Sequence, residues 1–460
     1  MIKSICLVFP RFKYPSGDPP LGLCSLAAYL RDRLKVEVSI LDATFHPSLD
    51  YVSQYLKSKK PELVGIYFST LMYEKARLIA QIAKKTGAIV VGGGPHATIS
   101  PESVIDDVDI TVLGEGEETL RELAMILPSL DLSQIKGIWY KDGQGNVRKT
   151  PPRDVMVNLD YIGFPALDLV EMERYFLYWH YLDIMTFSAR GINIMSSRGC
   201  PFSCTFCQPT LKKLFGDKVR YKSPDYLAEE ITYYMHTFNV NMFFFHDDTF
   251  AADKTWANSF FDMLEKRRLN IVWGCNTRVN NMDESMMRRM YEVGCRVIHF
   301  GIESGSQRVL DEIYAKRITL DHVNKVIEIA KRVGMYSSGF FILGAPGETK
   351  MEMNKTIKLA LSSGLNEAAF SIATPLPGTM LYDMIKNDRN FTISKDYSDF
   401  DYYRGLSYAD HNSRNRQLIL AQRKALFLFY LHPLRLQYIL RHFFSFRGMV
   451  KLYIKIRRFF

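Results

Sequence analysis

The pattern of apolar and polar positions divides the chain into two series of alternating strands and helices. In residues 1–130, short β-branched runs alternate with stretches in which apolar residues recur every three or four positions. The runs are IKSICLVF, VEVSILD, LVGIYFS, AIVVGGG and DITVLGEGE. Strands and helices that alternate at this spacing are typical of a parallel, doubly wound sheet. The pattern therefore predicts an α/β N-terminal domain over residues 1–130.

A second series of strands and helices begins at Gly191. Its apolar runs are INIMSSRG, MFFFHDD, IVWGCNTR, VIHFGIES, YSSGFFILGAPGE and AAFSIATPLPG. Six such units predict a partial (β/α)6 barrel of the TIM type over residues 191–395, and the pattern leaves open whether its sheet closes. Residues 131–190 contain a turn and the aromatic run ERYFLYWHYLD. We interpret them as a linker that packs between the domains and assign them no chemistry.

The predicted strands of the N-terminal domain end in small or polar residues. In a doubly wound sheet the carboxyl ends of the strands form the ligand crevice, and glycines there let the backbone approach a bulky ligand. Each glycine could equally be an ordinary turn residue. The candidate ligand-binding residues are Ser69, Thr70, Gly93, Gly94, Gly114, Glu115 and Gly116.

Length and composition restrict the class of protein. A chain of 460 residues with 47% hydrophobic residues is long enough for two or three globular domains. The seven cysteines are an odd number, and no apolar run follows the basic start of the chain, so we expect a reducing, cytoplasmic location. No run approaches the roughly 20 apolar residues of a spanning helix. We therefore expect no membrane span.

Three cysteines lie within eight residues of the second series. Cys200, Cys204 and Cys207 follow a predicted strand with the spacing C-x3-C-x2-C, and thiolates at this density are metal ligands. A structural zinc site or an ordinary Fe–S cluster would use a fourth ligand. Cys275 and Cys295 lie far along the chain in apolar patterns, where a free cysteine packs as a small hydrophobe. The residues alone predict a cluster with one open iron, or a zinc site as the alternative.

With Phe206 before its last cysteine, this motif resembles the signature of the radical S-adenosylmethionine (radical SAM) superfamily. The resemblance implies a [4Fe-4S] cluster whose open iron is chelated by the amino and carboxylate groups of S-adenosylmethionine. It implies cleavage of this cofactor to a 5′-deoxyadenosyl radical. An external electron donor, similar to flavodoxin or ferredoxin, is implied as well.

Later strand ends resemble the cofactor-binding segments of the same superfamily, in the same order. The resemblance places Asp247 and Asp248 near the methionine amino group, although Asp248 could instead cap the following helix. It places Arg278, just past the fourth strand, on the carboxylate or ribose side, where a guanidinium suits a carboxylate. His246 is interpreted as a polar residue at a strand end. Further cofactor-binding residues implied by the resemblance are Glu303, Ser304, Gly344 and Pro346.

The N-terminal phrases PPLGL, VVGGGPHAT and VLGEGEET resemble the cobalamin-binding, Rossmann-like domain of one subclass of these enzymes. The chain departs from the signature Asp-x-His-x-x-Gly, because Asp42 is followed by Ala-Thr-Phe-His-Pro. That departure puts a lower histidine ligand of cobalt in doubt. We predict neither His46 nor His96 as a ligand.

The resemblance implies a cobalamin-dependent radical SAM enzyme that methylates an unactivated carbon. Two alternatives stay open, namely a cyclase or rearrangement enzyme without methyl transfer, and a regulatory protein that binds metal and cobalamin. A methylthiotransferase is less favoured, because it needs three more cysteines near the N-terminus, where only Cys6 and Cys24 are present.

The net charge of +10 lies in the C-terminal region. From Asn412 to Phe460 there are 11 Lys and Arg and no Asp or Glu, and residues 396–460 are predicted to be a basic, helical extension. A helical cap on the barrel, contact with an anionic membrane and nucleic-acid binding are the three interpretations. We favour the cap for Arg423–Pro433 and membrane contact for residues 441–460, and do not expect nucleic acid. Membrane contact would suit a lipid, isoprenoid or tetrapyrrole substrate.

Overall fold

The computed structural model describes residues 2–11, 15–127, 131–182, 190–410, 414–433, 435–436 and 449. It divides the chain into two compact units. The first comprises Met1–Tyr175 together with Pro209–Arg220, and the second comprises Phe176–Gln208 together with Tyr221–Phe460.

The first unit contains a seven-stranded sheet with helices between its strands. Its strands are β1 (Ser4–Phe9), β2 (Glu37–Asp42), β3 (Leu63–Tyr67), β4 (Ile89–Gly93), β5 (Ile110–Val112), β6 (Ile138–Lys141) and β7 (Val147–Lys149). Its first six helices are α1 (Leu21–Arg33), α2 (Leu49–Lys59), α3 (Tyr73–Lys84), α4 (Pro95–Ile99), α5 (Pro101–Val104) and α6 (Glu117–Ile126). Helix α7 (Met172–Tyr178) then spans the boundary between the units.

The strand order β2-β1-β3-β4-β5-β6-β7 confirms the predicted doubly wound sheet. The first five strands of the chain pair in parallel, and their apolar runs are buried, as expected for a sheet covered on both faces. The carboxyl ends of β3, β4 and β5 therefore lie at one edge of the sheet, where the candidate ligand-binding residues follow them.

The structure divides residues 131–190 differently from the predicted linker. Strands β6 and β7 form an antiparallel hairpin on β5, so this part belongs to the first unit. Asp142 stabilises the turn between them, because its carboxylate accepts hydrogen bonds from the backbone of Gln144 and Asn146. These strands have only four and three residues, which is too short for a clear alternation of apolar and polar positions.

The second unit contains the six longer parallel strands predicted from the sequence. Its strands, with two short ones at the boundary, are β8 (Gly191–Ile194), β9 (Ser197–Arg198), β10 (Arg220–Tyr221), β11 (Met242–Phe245), β12 (Val272–Arg278), β13 (Cys295–Glu303), β14 (Tyr336–Leu343), β15 (Glu367–Ile372), β16 (Phe391–Ile393) and β17 (Tyr408–Asp410). The remaining helices are α8 (Thr210–Phe215, in the first unit), α9 (Pro224–Phe238), α10 (Lys254–Lys266), α11 (Glu284–Glu292), α12 (Leu320–Val333), α13 (Lys350–Ser362), α14 (Met380–Lys386) and α15 (Arg414–Tyr430).

The order β8-β11-β12-β13-β14-β15, parallel throughout, makes this sheet an open half-barrel with β8 and β15 at its edges. Alternate side chains point outward and form the core with the helices: Phe245 and Trp273 are fully buried and contact Phe260 and Phe261 of α10. The side chains between them point to the inner face.

The C-terminal part of the described chain packs on the half-barrel. Leu418 of α15 is buried against Gly344, and the side-chain amide of Gln422 donates to the carbonyl of Phe370 in β15. Most of the predicted membrane-binding segment, residues 441–460, lies outside the described residues. In the part of the chain that the structure describes, no helix combines the length and apolar character needed to cross a membrane.

Candidate functional site

The three clustered cysteines lie on the loop that follows β8 and β9. Gly199 begins this loop with φ 97°, a left-handed conformation that glycine adopts without strain. All three thiols are free, Cys204 is buried, and burial raises the pKa of Cys200 and Cys207. Among the described residues no three ligating side chains converge on a single metal ion. Three thiols on one loop suit a polynuclear cluster, in which each one would bind a different iron.

Arg278 lies beside the second thiol of the motif. It is the last residue of β12, which is the third strand of the half-barrel. The predicted position just past the fourth strand is therefore wrong. The side chain of Arg278 is buried; Nη1 lies 2.9 Å from Cys204 Sγ, and the guanidinium lies over the ring of Phe202. The structure therefore brings Arg278 to the cysteine loop. Its predicted contact with the cofactor carboxylate stays a prediction.

The two neighbouring aspartates after β11 have different surroundings. Asp247 is buried and accepts hydrogen bonds from the backbone and hydroxyl of Ser196 and from the hydroxyl of Ser197, which fixes the segment before the cysteines. Asp248 is exposed to solvent. Desolvation by the surrounding protein, together with the charge of Asp247, raises the pKa of Asp248 to about 6.

Asp248 is therefore the carboxylate available to a bound ammonium group. The alternative, in which Asp248 caps the following helix, is wrong. Helix α10 is capped by Asp253, whose carboxylate accepts from the backbone of Thr255 and Trp256.

Glu303 ends β13 in a strained conformation. Its φ of 73° is rare for a residue with a side chain, and the pairing of β13 with β14 shifts register between Gly301 and Glu303. The buried ammonium of Lys316 lies 2.6 Å from its carboxylate and holds it in place. Backbone strain and bulges concentrate at functional sites. No motif or spacing in the sequence indicated Lys316 as a residue of this site.

The other residues predicted to bind the adenosyl cofactor are mostly held by the protein itself. Ser304 is fully buried, and its hydroxyl lies 3.2 Å from that of Thr356. Gly344 has φ 83°, and its amide donates to the carboxylate of Glu348, as does that of Ala345. This arrangement shapes the loop that contains Pro346.

The candidate residues of the first unit lie together after β3, β4 and β5. The hydroxyl of Thr70 lies 2.9 Å from the Nδ1 atom of His96. The Nε2 atom of His96 lies 3.0 Å from the hydroxyl of Ser103. Burial lowers the pKa of His96 to about 4, so its imidazole is neutral. The buried hydroxyl of Ser69 has no hydrogen-bond partner within the described residues. A buried hydroxyl without a partner in the protein suits a polar ligand in the crevice.

Glycines follow the strands at the same edge of the sheet, and Gly93 leaves space there. A Cβ on Gly93, at the end of β4, would have Val112 as its nearest neighbour, at 3.9 Å. Gly94 and Gly114 have φ values of 106° and 72°, which only glycine adopts readily. Gly116 precedes helix α6, which begins at Glu117. Small residues at three adjacent strand ends suit a large, flat ligand.

Glu115 differs from its glycine neighbours because its carboxylate is already engaged. Arg220 binds it through two hydrogen bonds of 2.9 and 3.0 Å, and the backbone of Met156 donates a third. Both charged side chains are more than nine-tenths buried. Glu115 therefore anchors residues 209–220 to the first unit, and its predicted contact with a cofactor stays a prediction.

The aromatic run to which we assigned no chemistry forms the floor of the half-barrel. Trp179 donates to the side chain of Asn193 over a distance of 2.7 Å, and a side chain on Gly191 would clash with its ring. Tyr181 stacks on Phe244 with ring centroids 4.2 Å apart. These contacts close the amino-terminal end of the sheet, and the run of aromatic residues was the only sequence signal for them.

Comparison with known proteins identifies the family. The Radical SAM superfamily model matches residues 194–360, and the B12 binding domain model matches residues 13–124. An uncharacterized methyltransferase of Pyrococcus horikoshii is 34% identical over 444 residues, which cover 94% of this chain and 91% of that protein. The chain belongs to the cobalamin-binding radical SAM enzymes. It is a methyltransferase-like radical SAM enzyme, and its cofactors are a [4Fe-4S] cluster, S-adenosylmethionine and cobalamin.

Two further comparisons agree with this family. Cytidylyl-2-hydroxyethylphosphonate methyltransferase of Streptomyces wedmorensis is 29% identical over 423 residues, which cover 81% of this chain and 78% of that protein. TsrM of Kitasatospora setae, a radical SAM methyltransferase solved with cobalamin and a [4Fe-4S] cluster, matches with a TM-score of 0.71 and 18% identity. The match covers 85% of this chain and 77% of TsrM and concerns the fold alone. The predicted family and fold class are confirmed.

The residues present fit the cofactors of the family. Three thiols and no fourth ligand on the loop suit a cluster with one open iron, and Asp248 offers a carboxylate beside it. In the first unit, the Ser69 hydroxyl and the space over Gly93 suit the polar edge and flat ring of a corrinoid.

Proposed function

We propose that the protein is a cobalamin-dependent radical SAM methyltransferase that methylates an unactivated carbon of a hydrophobic molecule. The observation that carries this proposal is the exposed aromatic ring of Phe340 on the inner face of the half-barrel, in the same row as Arg278 beside the cysteine loop. The methyltransferase names of the relatives support the reaction type, and the inner face supports the kind of substrate.

The apolar surface consists of Phe340 and Ala369, which lie in the row of inner residues level with Arg278. Register pairs Arg278 with Gly301, Gly301 with Phe340, and Phe340 with Ala369. Phe340 lies on β14, which has a neighbouring strand on each side, yet 39% of its surface is exposed. An aromatic ring on a central strand stays accessible only where the interior is open. This surface would contact an apolar substrate.

A polar row lies one step closer to the floor. Asn276 pairs with His299, His299 with Ser338, and Ser338 with Glu367, on four adjacent strands. Rows on the same face are separated by two residues, or about 6.6 Å at a rise of about 3.3 Å per residue. The Ser338 hydroxyl lies 3.4 Å from the carboxylate of Glu367. We infer that this row orients the polar end of an otherwise apolar substrate.

The side chains of this chain bind, orient and exclude water. The three cysteines would hold the cluster, Asp248 would accept from the amino group of S-adenosylmethionine, and Ser69 with the glycine edge would hold cobalamin. When bound, these cofactors supply radical hydrogen abstraction and a transferable methyl group. The floor at Trp179 and Tyr181 closes the interior from below, which protects a reactive carbon from water.

The proposal includes a reductant and a location. A flavodoxin- or ferredoxin-like donor would reduce the cluster. The protein would act in the cytoplasm, with residues 441–460 in contact with an anionic membrane that contains the substrate.

The test uses full-length protein purified anaerobically with cobalamin. We expect about four iron atoms and one cobalt atom per chain. Cys204→Ala should lose iron and keep cobalt. Gly93→Val should lose cobalt and keep iron, because its side chain fills the crevice while β-branched residues suit a strand. Gly143→Ala, at a glycine with open space around it in the turn between β6 and β7, is the matched control and should keep both.

The second step identifies the reaction. The reduced enzyme is incubated with methyl-labelled S-adenosylmethionine and a lipid extract, and products are analysed by mass spectrometry. A labelled lipid heavier by one methylene supports the proposal. A changed lipid without that gain would indicate the cyclase or rearrangement alternative, and the absence of 5′-deoxyadenosine under reduction would favour a regulatory protein.

A further inference from the structure

We infer that Arg278 stabilises the reduced form of the iron–sulfur cluster by donating a hydrogen bond to the sulfur of Cys204, a role distinct from the predicted contact with the cofactor carboxylate. The inference rests on the cluster of the proposed function. It concerns the reduction of that cluster and is independent of the substrate and of methyl transfer.

Three contacts hold the guanidinium beside the cysteine loop, two of them with the loop itself. Nη1 lies 2.9 Å from Cys204 Sγ, and Nη2 donates to the backbone carbonyl of Lys316. The central carbon lies 3.8 Å from the centroid of the Phe202 ring, which belongs to the same loop as the thiol. Only 5% of the Arg278 surface is exposed. The side chain is therefore held from three sides and has little freedom to turn toward another ligand.

These contacts engage both terminal nitrogens of the guanidinium. A guanidinium recognises a carboxylate best through two parallel N–H bonds. Here both terminal nitrogens already have partners, and the buried Nε is the donor without a partner in the described part of the chain. Each terminal nitrogen also keeps a second N–H, because a guanidinium has five, so the thiol contact leaves donors for a further ligand such as an inorganic sulfide or an oxygen of the cofactor.

The carbonyl that fixes Arg278 belongs to an unusual segment. A π-helical turn, Val309–Ile313, precedes it, and Ala315 and Arg317 have φ values of 47° and 55° on either side of Lys316. Left-handed conformations are strained for residues with side chains, and π-helical turns are frequent at functional sites. The ion pair between Lys316 and Glu303 holds the segment in this shape. Lys316 is thus a positioning residue for Arg278.

The expected effect is on the reduction potential. Hydrogen bonds to the sulfurs and nearby charge set the potential of an Fe–S cluster. When the cluster takes up one electron, the ligating sulfur becomes more negative, so the bond from a cationic donor becomes stronger. Arg278 should therefore raise the potential and favour the reduced state.

The test is a potentiometric titration of the reconstituted full-length protein without S-adenosylmethionine, with dithionite as reductant and electron paramagnetic resonance as the readout. At a fixed potential Arg278→Gln should show about a tenfold lower ratio of reduced to oxidised cluster, equivalent to about 59 mV for a one-electron couple. Arg278→Lys keeps the charge without the planar fork and should show a smaller shift.

Arg296→Gln is the matched control. Arg296 on β13 donates to the backbone carbonyls of Tyr291 and Cys295 and lies 4.0 Å over the Tyr291 ring, so it has the same kinds of contact without a ligating thiol. The reduction potential of the cluster in Arg296→Gln should equal that in the wild type. Phe202→Leu, which removes the ring beneath the guanidinium, should shift the potential in the same direction as Arg278→Gln but by less.

Binding of S-adenosylmethionine, measured by equilibrium dialysis, separates the two roles. An unchanged potential with weaker cofactor binding in Arg278→Gln would overturn the inference and support the carboxylate role. If Arg278→Gln holds no iron, the Arg278→Lys and Phe202→Leu titrations decide, and unchanged potentials in both would overturn the inference. A wild-type protein that holds no cluster after reconstitution would overturn the proposed function as well.

Discussion

Two neighbouring carboxylates after β11 illustrate how surroundings assign roles to single residues. Asp247 uses its oxygens to fix Ser196 and Ser197, whereas Asp248 stays accessible beside the cysteine loop. The same contrast separates Glu115, which Arg220 binds through both oxygens, from the adjacent Gly114 and Gly116. The two aspartates have the same residue type and adjacent positions in the chain, and Glu115 is adjacent to both glycines. The local hydrogen-bond partners decide which residue is available to a ligand.

The buried imidazole of His96 predicts a pH dependence of stability. Its pKa is lowered from 6.5 to about 4 by burial, so the unfolded chain takes up a proton before the folded one as the pH falls. Stability should therefore be complete above pH 6.5 and decline between pH 6.5 and 4, by up to about 3 kcal/mol. Denaturant unfolding across this range measures the decline.

In His96→Gln the decline in stability between pH 6.5 and 4 should be smaller than in the wild type. His236→Gln, at an exposed position of α9, should keep the wild-type decline. An equal decline in the wild type and in His96→Gln would show that His96 does not cause it.

At the scale of elements, the segment after the cysteine motif is tied to the sheet of the first unit. Residues 209–220 contain α8, which packs on α4, and end at the ion pair of Arg220 with Glu115. The chain thus leaves the cysteine loop at Gln208 and is held in the first unit for twelve residues before it returns at Tyr221. Breaking that ion pair should loosen the whole segment.

Removal of one partner of a buried ion pair leaves an unpaired charge and costs about 3–5 kcal/mol. Arg220→Met should therefore increase local opening by about 100-fold or more, and trypsin should cleave faster at Lys212, Lys213 and Lys218. Arg267→Met, which removes a partly exposed pair with Asp225, should change cleavage little. The double variant Arg220→Met/Glu115→Leu, without buried charge, should recover part of the protection. Equal cleavage rates in the wild type and Arg220→Met would contradict the anchoring role.

At the scale of the whole molecule, basic charge and exposed apolar surface occur in the same region. The excess of Lys and Arg lies after Asn412, and α15 exposes several large apolar side chains near Lys424. These are Leu420, Phe427 and Leu428, with Leu431 directly after the helix. Apolar side chains beside cationic groups are typical of surfaces that bind anionic membranes. This supports the proposed membrane contact through a part of the chain that the structure describes.

The full-length protein should sediment with anionic vesicles at low salt and be released at high salt, because salt screens the attraction. Each Lys or Arg near such a surface contributes about 1 kcal/mol. Lys451→Glu/Lys455→Glu should therefore weaken binding at least tenfold. Lys57→Glu/Lys59→Glu, the same change on α2, is the control and should leave it unchanged. If the wild type does not bind the vesicles at low salt, the proposed membrane contact is wrong, and so is the lipid preference that rests on it.

What the sequence by itself determined is local. β-branched runs between helical stretches predicted the two parallel sheets, and the spacing of Cys200, Cys204 and Cys207 indicated the cluster, because strand periodicity and loop motifs need only a few adjacent residues. Only the tertiary structure decided that Arg278 contacts Cys204, that Lys316 holds Glu303, and that Tyr181 closes the floor. These outcomes depend on strand register and on packing between distant segments, and neither leaves a pattern in the residues nearby.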